Sequence, residues 1–170
     1  LGSVAQMEAT MRTSAATAEA VSAAARKSPP VFTAFDEWNI LNNWSDGGKR
    51  DDVHKFEISY NLRDALWVAT ALNALQRNCR TVRLANLAQL VNVIAPIYTT
   101  PTGLLLRTTY YPLELYANRS ARIALDVLNL SPRFETKNFG GQSYLDVSAT
   151  YDEEKRHIAC LLYTSDAADE

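Results

Sequence analysis

The chain has 170 residues, a formal net charge of -2, and 47% hydrophobic against 21% charged residues, which gives no basic excess to serve a nucleic-acid backbone. No apolar run approaches the roughly 20 residues needed to span a bilayer, and two cysteines cannot build a disulfide framework. These counts point to a soluble globular class, and the order of elements must carry the rest.

In chain order, the Ala-rich segment from Val4 to Ala25 reads as a helix, and its stretch from Ala15 to Ala25 is interrupted by Thr, Glu and Ser as a covering helix would be. Ser28-Pro29-Pro30 marks a turn, and Val31-Phe32-Thr33-Ala34-Phe35, rich in β-branched and aromatic residues, reads as a buried strand. Asp36 and Glu37 then stand at its C-terminal end. In a barrel of alternating strands and helices catalytic side chains project from that end, although a solvated strand end would also place an acidic pair there. From Leu62 to Cys79, apolar residues at 62, 65, 66, 68, 69, 72 and 75 follow the spacing of an amphipathic helix. Arg77 and Arg80 near its end suit the negative pole of the helix dipole. Thr81-Val82-Arg83-Leu84-Ala85-Asn86 reads as the next strand, so the order is strand, loop, helix, strand, with the two strands predicted parallel. The following segment, Leu87 to Ile97, sets Gln89 and Asn92 among apolar neighbours, where buried amides need partners that a polar ligand can supply. From Ser120 onward the period becomes two: 122–128, 144–151 and 156–159 read as strands, the last two joined by the charged turn Asp152-Glu153-Glu154-Lys155.

Three stretches carry a family resemblance: Phe35-Asp36-Glu37-Trp38-Asn39, the segment Asn86-Leu87-Ala88-Gln89-Leu90-Val91-Asn92-Val93-Ile94-Ala95-Pro96-Ile97, and Thr109-Tyr110-Tyr111-Pro112-Leu113-Glu114-Leu115-Tyr116. In that order and spacing they resemble the C-terminal half of family 51 glycoside hydrolases, the α-L-arabinofuranosidases, over about Val31 to Ala159. The resemblance implies an α/β fold class: the C-terminal part of a (β/α)₈ TIM barrel over residues 1–117, then the start of an antiparallel, jelly-roll-like β-sandwich over 118–159. It also implies that Glu37 is the catalytic nucleophile at the end of the seventh barrel strand and that Gln89 contacts the arabinose where cleavage occurs. Asn39 and Asn92 are further substrate-binding candidates standing behind that contact. The pattern departs from many relatives just after the nucleophile, where Ile40-Leu41 replaces a Val-Trp pair. Leu41 thus stands where an aromatic would line the pocket, and Trp44 either compensates from the loop or packs the loop onto the barrel.

A retaining glycosidase holds its nucleophile and its acid/base about 5–5.5 Å apart, with environments that push the two pKa values apart. Asp36 does not fit as the second group, because neighbouring side chains on a regular strand point to opposite faces. Glu57, Glu114 and Glu135 fall in a loop, a helical region after the barrel and the later β region. The family's acid/base, a Glu after an Asn at the end of the fourth strand, has no counterpart here. The expectation is therefore a piece of a longer protein, since the chain opens on Leu1 inside a helix-like segment. Residues 160–170 resemble the translation of a transposase adaptor used in preparing sequencing libraries and are set aside as a non-native tail. Cys79 is then left alone, with a buried thiol as its default. Taken alone, such a piece is expected to be inactive and poorly folded, because its outer strand exposes an unpaired edge.

The functional expectation is a retaining, exo-acting α-L-arabinofuranosidase working on arabinose-containing oligosaccharides or polysaccharides. It needs no cofactor and no metal, has no nucleic-acid or membrane partner, and forms a homo-oligomer in many full-length relatives. Bacterial members are mostly intracellular, which favours the cytoplasm. The alternatives are a related retaining xylosidase or endoglucanase, or a non-catalytic carbohydrate-binding homologue. Remaining residues have plainer readings. His54 lies in a charged loop, His157 faces out of a strand, and Gly47-Gly48-Lys49 lacks the frame of a phosphate loop. Asn43-Trp44-Ser45 and Asn118-Arg119-Ser120 match a glycosylation acceptor pattern that matters only in a secretory eukaryotic setting. Tyr110-Tyr111-Pro112 either closes over the pocket or packs barrel against sandwich.

Overall fold

Helix α1, Gly2–Ala24, is built from residues of high helix propensity and has a narrow apolar stripe. Val4 and Met11, seven residues apart on one face, are buried, at 4% and 1% exposure. They pack with Trp38, Ile40, Val68, Ala71, Ala74 and Val82 into one core cluster. The structure, a computed structural model, describes residues 2–26, 31–41 and 58–164. Trp44, His54, Glu57, the glycine pair at 47–48 and the first glycosylation pattern lie outside the described residues.

Strand β1, Thr33–Trp38, pairs in parallel with β2, Val82–Leu87, and helix α2, Leu62–Arg77, connects them. The predicted strand at 31–35 therefore begins two residues later and runs three residues further, carrying Asp36 and Glu37 within the ladder. Helix α2 starts at a capping box that the periodicity alone does not reveal. The Asn61 side chain accepts from the Asp64 backbone N–H at 3.3 Å, and Asp64 Oδ2 accepts from the Asn61 N–H at 2.8 Å. The helix ends at Arg77 with Asn78 as its C-cap, so Cys79 falls beyond it and is exposed, against the expectation of a buried thiol. A chain turning away from the core at a helix end cannot bury the side chain that follows.

Helices α1 and α2 cover one face of the β1–β2 pair. The other face is open at Ala34 and Leu84, which pair across the two strands and are both exposed. Parallel sheets are ordinarily covered on both faces. The described residues form a mixed α/β fold with two parallel strands and no closed barrel.

Beyond β2 the chain makes an antiparallel hairpin, β3 (Ile97–Thr100) and β4 (Gly103–Leu106), then helix α3, Tyr110–Arg119. Strand β5, Ile123–Leu125, is shorter than the predicted 122–128 and lies at the edge of a three-stranded antiparallel sheet ordered β5-β8-β9. Strands β6, Arg133–Thr136, and β7, Gly140–Ser143, form a separate hairpin. Strand β8, Leu145–Asp152, is central. Strand β9, His157–Thr164, pairs with it along its whole length, so the ladder continues through Cys160–Thr164, and Leu161 is buried. The final strand is thus longer than the predicted 156–159. Its extension lies inside the tail that sequence reasoning set aside.

The helical layer and this sheet meet through polar groups. Asp146, Ser148 and Thr150 alternate along β8. Asp146 Oδ1 accepts from Asn73 Nδ2 at 2.5 Å, Ser148 Oγ donates to Gln76 Oε1 at 2.6 Å, and Thr150 Oγ1 accepts from the Ala121 N–H at 2.9 Å. Tyr116 of α3 reaches the fully buried Asn73 and the Ala69 carbonyl, and its ring stacks on Tyr163 at 6.4 Å. Arg77 joins Glu8 of α1, at 2.9 Å, to Asp146, at 3.1 Å. Its place near the helix end therefore serves a specific junction as well as the helix dipole.

Candidate active site

The β1–β2 ladder shifts register twice, once at its start between Thr33 and Ala34 and once near its end between Phe35 and Trp38. Phe35 opposes Ala85 and Trp38 opposes Leu87, so between them β1 carries one residue more than β2. The extra residue falls at Asp36-Glu37. Such irregularities re-aim side chains and are over-represented beside active sites. Here both carboxylates are exposed. Asp36 Oδ1 lies 3.4 Å from the Asn86 side-chain amide of β2. Glu37 makes no hydrogen bond among the described residues.

Two residues after Glu37, Asn39 closes the space between the two strands. Its Nδ2 donates to the carbonyls of Ala88 and Ile94, each at 2.6 Å, and its Oδ1 accepts from the Ile40 N–H at 2.8 Å. The Ala88 N–H donates to the Trp38 carbonyl at 3.0 Å. The Tyr60 hydroxyl lies 2.9 Å from the Ile94 oxygen and 3.2 Å from the Ile40 oxygen and donates to one at a time. Burial is the main cause that pushes the Tyr60 phenol up to about 12, against the opposing pull of Arg107, so it remains a donor across the physiological range.

The segment after β2 is held from its far side as well. Asn92 and Val93 have positive φ, 62° and 39°, a region in which a β-branched residue is an outlier. Arg107 Nη1 donates to the carbonyls of Val93 and Ala95 at 2.7 and 3.2 Å. Its guanidinium lies 4.9 Å from the Tyr98 ring centre and 5.7 Å from that of Tyr60. Asn92 Oδ1 accepts from the Thr99 N–H at 2.8 Å and lies 3.1 Å from its hydroxyl. Asn92 is thus half-buried and supplied with partners by the β3 hairpin, while Gln89 is exposed and has no hydrogen bond among the described residues. The picture of two buried amides awaiting a ligand is corrected: Asn92 is half-buried with its oxygen held by Thr99, and Gln89 is exposed.

Glu114 and Glu135 lie in α3 and β6. Tyr111 is 55% exposed and meets Tyr110 edge-on at 5.7 Å, whereas Pro112 is buried at the start of α3. No group of three potential metal ligands occurs among the described residues. Sequence reasoning missed Tyr60 and Arg107, which hold the site's backbone. Asn61-Leu62-Arg63-Asp64 was a readable helix start that would have put Tyr60 just before a cap.

The sequence profile of the alpha-L-arabinofuranosidase C-terminal domain matches residues 36–169. The chain belongs to this family. Among curated relatives, the intracellular exo-alpha-(1->5)-L-arabinofuranosidase of Halalkalibacterium halodurans is 30% identical over 164 residues, which are 89% of this chain and 32% of the relative. Alpha-L-arabinofuranosidase C of Emericella nidulans is 38% identical over 128 residues, 71% of this chain and 24% of the relative. Among solved structures, a family 51 alpha-L-arabinofuranosidase from Bifidobacterium longum superposes with a TM-score of 0.86 at 29% identity, covering 97% of this chain and 34% of that one. An arabinose complex of the Thermotoga maritima alpha-L-arabinofuranosidase gives 0.75 at 26% identity, covering 96% and 34%. The chain therefore spans a quarter to a third of the arabinofuranosidases it matches, and the resemblance to family 51 glycoside hydrolases is borne out.

Proposed function

We propose that this chain is part of a retaining α-L-arabinofuranosidase in which Glu37 is the nucleophile and Gln89 contacts the sugar. The observation that carries the reading is the register shift at Asp36-Glu37, where an exposed carboxylate without a partner among the described residues stands at the C-terminal end of a parallel strand. That is the end of an α/β barrel from which catalytic groups project. The open second face of the β1–β2 pair supports a barrel whose other strands lie outside the chain. On this reading residues 1–117 are the end of the barrel and 118–159 begin the sandwich packed on it. Asp146 and Ser148 then form part of the seam between the two.

Glu37 attacks the anomeric carbon to form a glycosyl-enzyme while the acid/base carboxyl on the opposite side protonates the glycosidic oxygen and the leaving alcohol departs. The same group then takes a proton from the water that hydrolyses the intermediate and frees Glu37. The acid/base comes from outside this chain. Gln89, whose two donors and acceptor have no partner among the described residues, can bind neighbouring sugar hydroxyls. The substrate is an arabinose-containing oligosaccharide or polysaccharide, as the names of the relatives suggest. A cytoplasmic location fits relatives named intracellular, and no helix among the described residues is long and apolar enough to cross a membrane.

The test is hydrolysis of an aryl α-L-arabinofuranoside by the protein expressed with its flanking coding sequence. Glu37→Ala is expected to lower turnover by about 10⁴-fold or more, in line with the loss of a nucleophile that acts as part of a unit. Added azide should restore turnover as the inverted glycosyl azide. Cleavage of aryl xylosides or glucosides in place of the arabinofuranoside would redirect the substrate. Inactivity toward all of them would favour a carbohydrate-binding homologue.

A further inference from the structure

We propose that Asn39 is a positioning residue, fixing the segment that carries Gln89 to the strand that carries Glu37. The proposal rests on the roles given above to Glu37 and Gln89. Regular pairing ends where the Ala88 N–H meets the Trp38 carbonyl. Beyond that point the Asn39 side chain takes over as the tie between the two chain segments. One of its two donors holds the Ala88 carbonyl, whose carbon is bonded to the Gln89 nitrogen, and the other holds Ile94 at the far end of the same segment. A single amide thus closes both ends of a short loop, and the Ile40 N–H fixes that amide's orientation through Oδ1.

The neighbours support the same geometry. Tyr60 reaches the Ile94 oxygen from the loop before α2, and Arg107 holds the Val93 and Ala95 carbonyls on either side of it. Val93 keeps a positive φ only because its surroundings over-determine it. Of the two side-chain amides in the segment, Asn92 is turned onto Thr99 and Gln89 is left exposed. The result is a well-tied backbone that presents the Gln89 amide, without a hydrogen bond among the described residues, beside the end of β1. Asn39 does not need to touch substrate; its effect passes through the placement of Gln89.

Two measurements test this. The first is a double-mutant cycle on aryl α-L-arabinofuranoside hydrolysis with Asn39→Ala, Gln89→Ala and both together. Asn39→Ala alone should lower kcat/KM by roughly 10–100-fold, the scale of a misplaced positioning group, and the loss should shrink to less than about threefold when Gln89 is already absent. An equal loss in both backgrounds would overturn the proposal while leaving Glu37 as nucleophile intact. The second is amide hydrogen exchange, which needs no substrate. Asn39→Ala should speed exchange across 88–97 and leave the interior amides of α2 unchanged. Unchanged exchange in 88–97 would overturn the proposal whatever the substrate proves to be. Loss of the Glu37 assignment itself would show separately, as a Glu37→Ala variant that still turns over without azide.

Discussion

Arg77 is the residue whose removal most directly tests how the helical layer is joined to the sheet. Its guanidinium contacts both oxygens of Glu8, at 3.2 and 2.9 Å, both oxygens of Asp146, at 3.1 and 3.2 Å, and the Val147 carbonyl at 3.0 Å. Arg77→Met keeps much of the apolar stem and deletes the charge. Glu8 then retains Arg12 at 2.9 Å and Asn78 at 3.0 Å, and Asp146 retains Asn73, so neither carboxylate is stranded. Side-chain exposures of 27% for Arg77, 13% for Glu8 and 25% for Asp146 put the junction between two regimes. Exposed pairs contribute about 0.2–1 kcal/mol and breaking buried ones costs about 3–5 kcal/mol, so a loss of about 2 kcal/mol is expected at neutral pH. The loss should depend on pH. Burial pulls the Glu8 carboxyl up, but hydrogen bonds and charge from Arg77, with Asn78 and Arg12, outweigh it and hold the group below the usual carboxylate range. A depressed folded-state pKa adds stability that is complete above the unfolded value and vanishes as pH falls through the folded one. The gap between wild type and Arg77→Met should therefore narrow below about pH 4. Urea unfolding at neutral and acid pH, read as the shift in midpoint at constant slope, measures both effects. A gap under about 0.5 kcal/mol at neutral pH, the size of an ordinary exposed pair, would refute the reasoning. A gap of equal size in acid would refute the role given to Glu8.

Met11→Ala should destabilise by about 2–5 kcal/mol, because the side chain is 1% exposed inside the cluster that joins α1 to α2 and β1; urea unfolding reads it, and a loss below about 1 kcal/mol would mean that α1 does not seal this core. Alkaline titration should divide the eight tyrosines. Burial raises the phenols of Tyr60, Tyr116 and Tyr163, with Tyr60 at about 12. A raised phenol favours the fold below its unfolded pKa, near 10, and that contribution is lost as pH rises through the folded value. Near-ultraviolet absorbance should show these three ionising above the ordinary range, and Tyr60→Phe should remove one late-titrating group. A titration with no late-ionising fraction would contradict the burial of these rings.

The βαβ unit was legible because each part has its own period. Ala65, Val68, Ala69 and Leu72 repeat at helical spacing, while the flanking runs are short and rich in β-branched or aromatic residues. The β3–β4 hairpin could have been found, since Ile97-Tyr98-Thr99-Thr100 and Gly103-Leu104-Leu105-Leu106 flank a Pro-Thr turn. Strand β7 could not: Gly140-Gly141-Gln142-Ser143 has low strand propensity, and only its ladder to β6 makes it a strand. The alternation in β8 was legible as a strand, but its meaning was not. Asp146, Ser148 and Thr150 resemble a solvent face, and only the approach of Asn73, Gln76 and Arg77 turns that face inward.

The three amides flagged near Glu37 look alike in the sequence, and the fold separates them by what each is bonded to. Asn39 spends both donors on carbonyls 49 and 55 residues away, and Asn92 gives its oxygen to Thr99. Neither partnership has a local signature, because each depends on where the backbone turns after β2. Asn39 is therefore committed before any ligand arrives, and Asn92 through its oxygen; asking Asn39 to bind sugar directly would cost the loop its ties. Gln89 alone keeps its donors and acceptor free among the described residues. An exposed amide gains little from binding unless its position is fixed, since the freedom lost on binding offsets the bond formed. The two committed asparagines remove that freedom from the Gln89 backbone in advance. A polar residue that never meets the substrate can for this reason matter as much to its recognition as one that does.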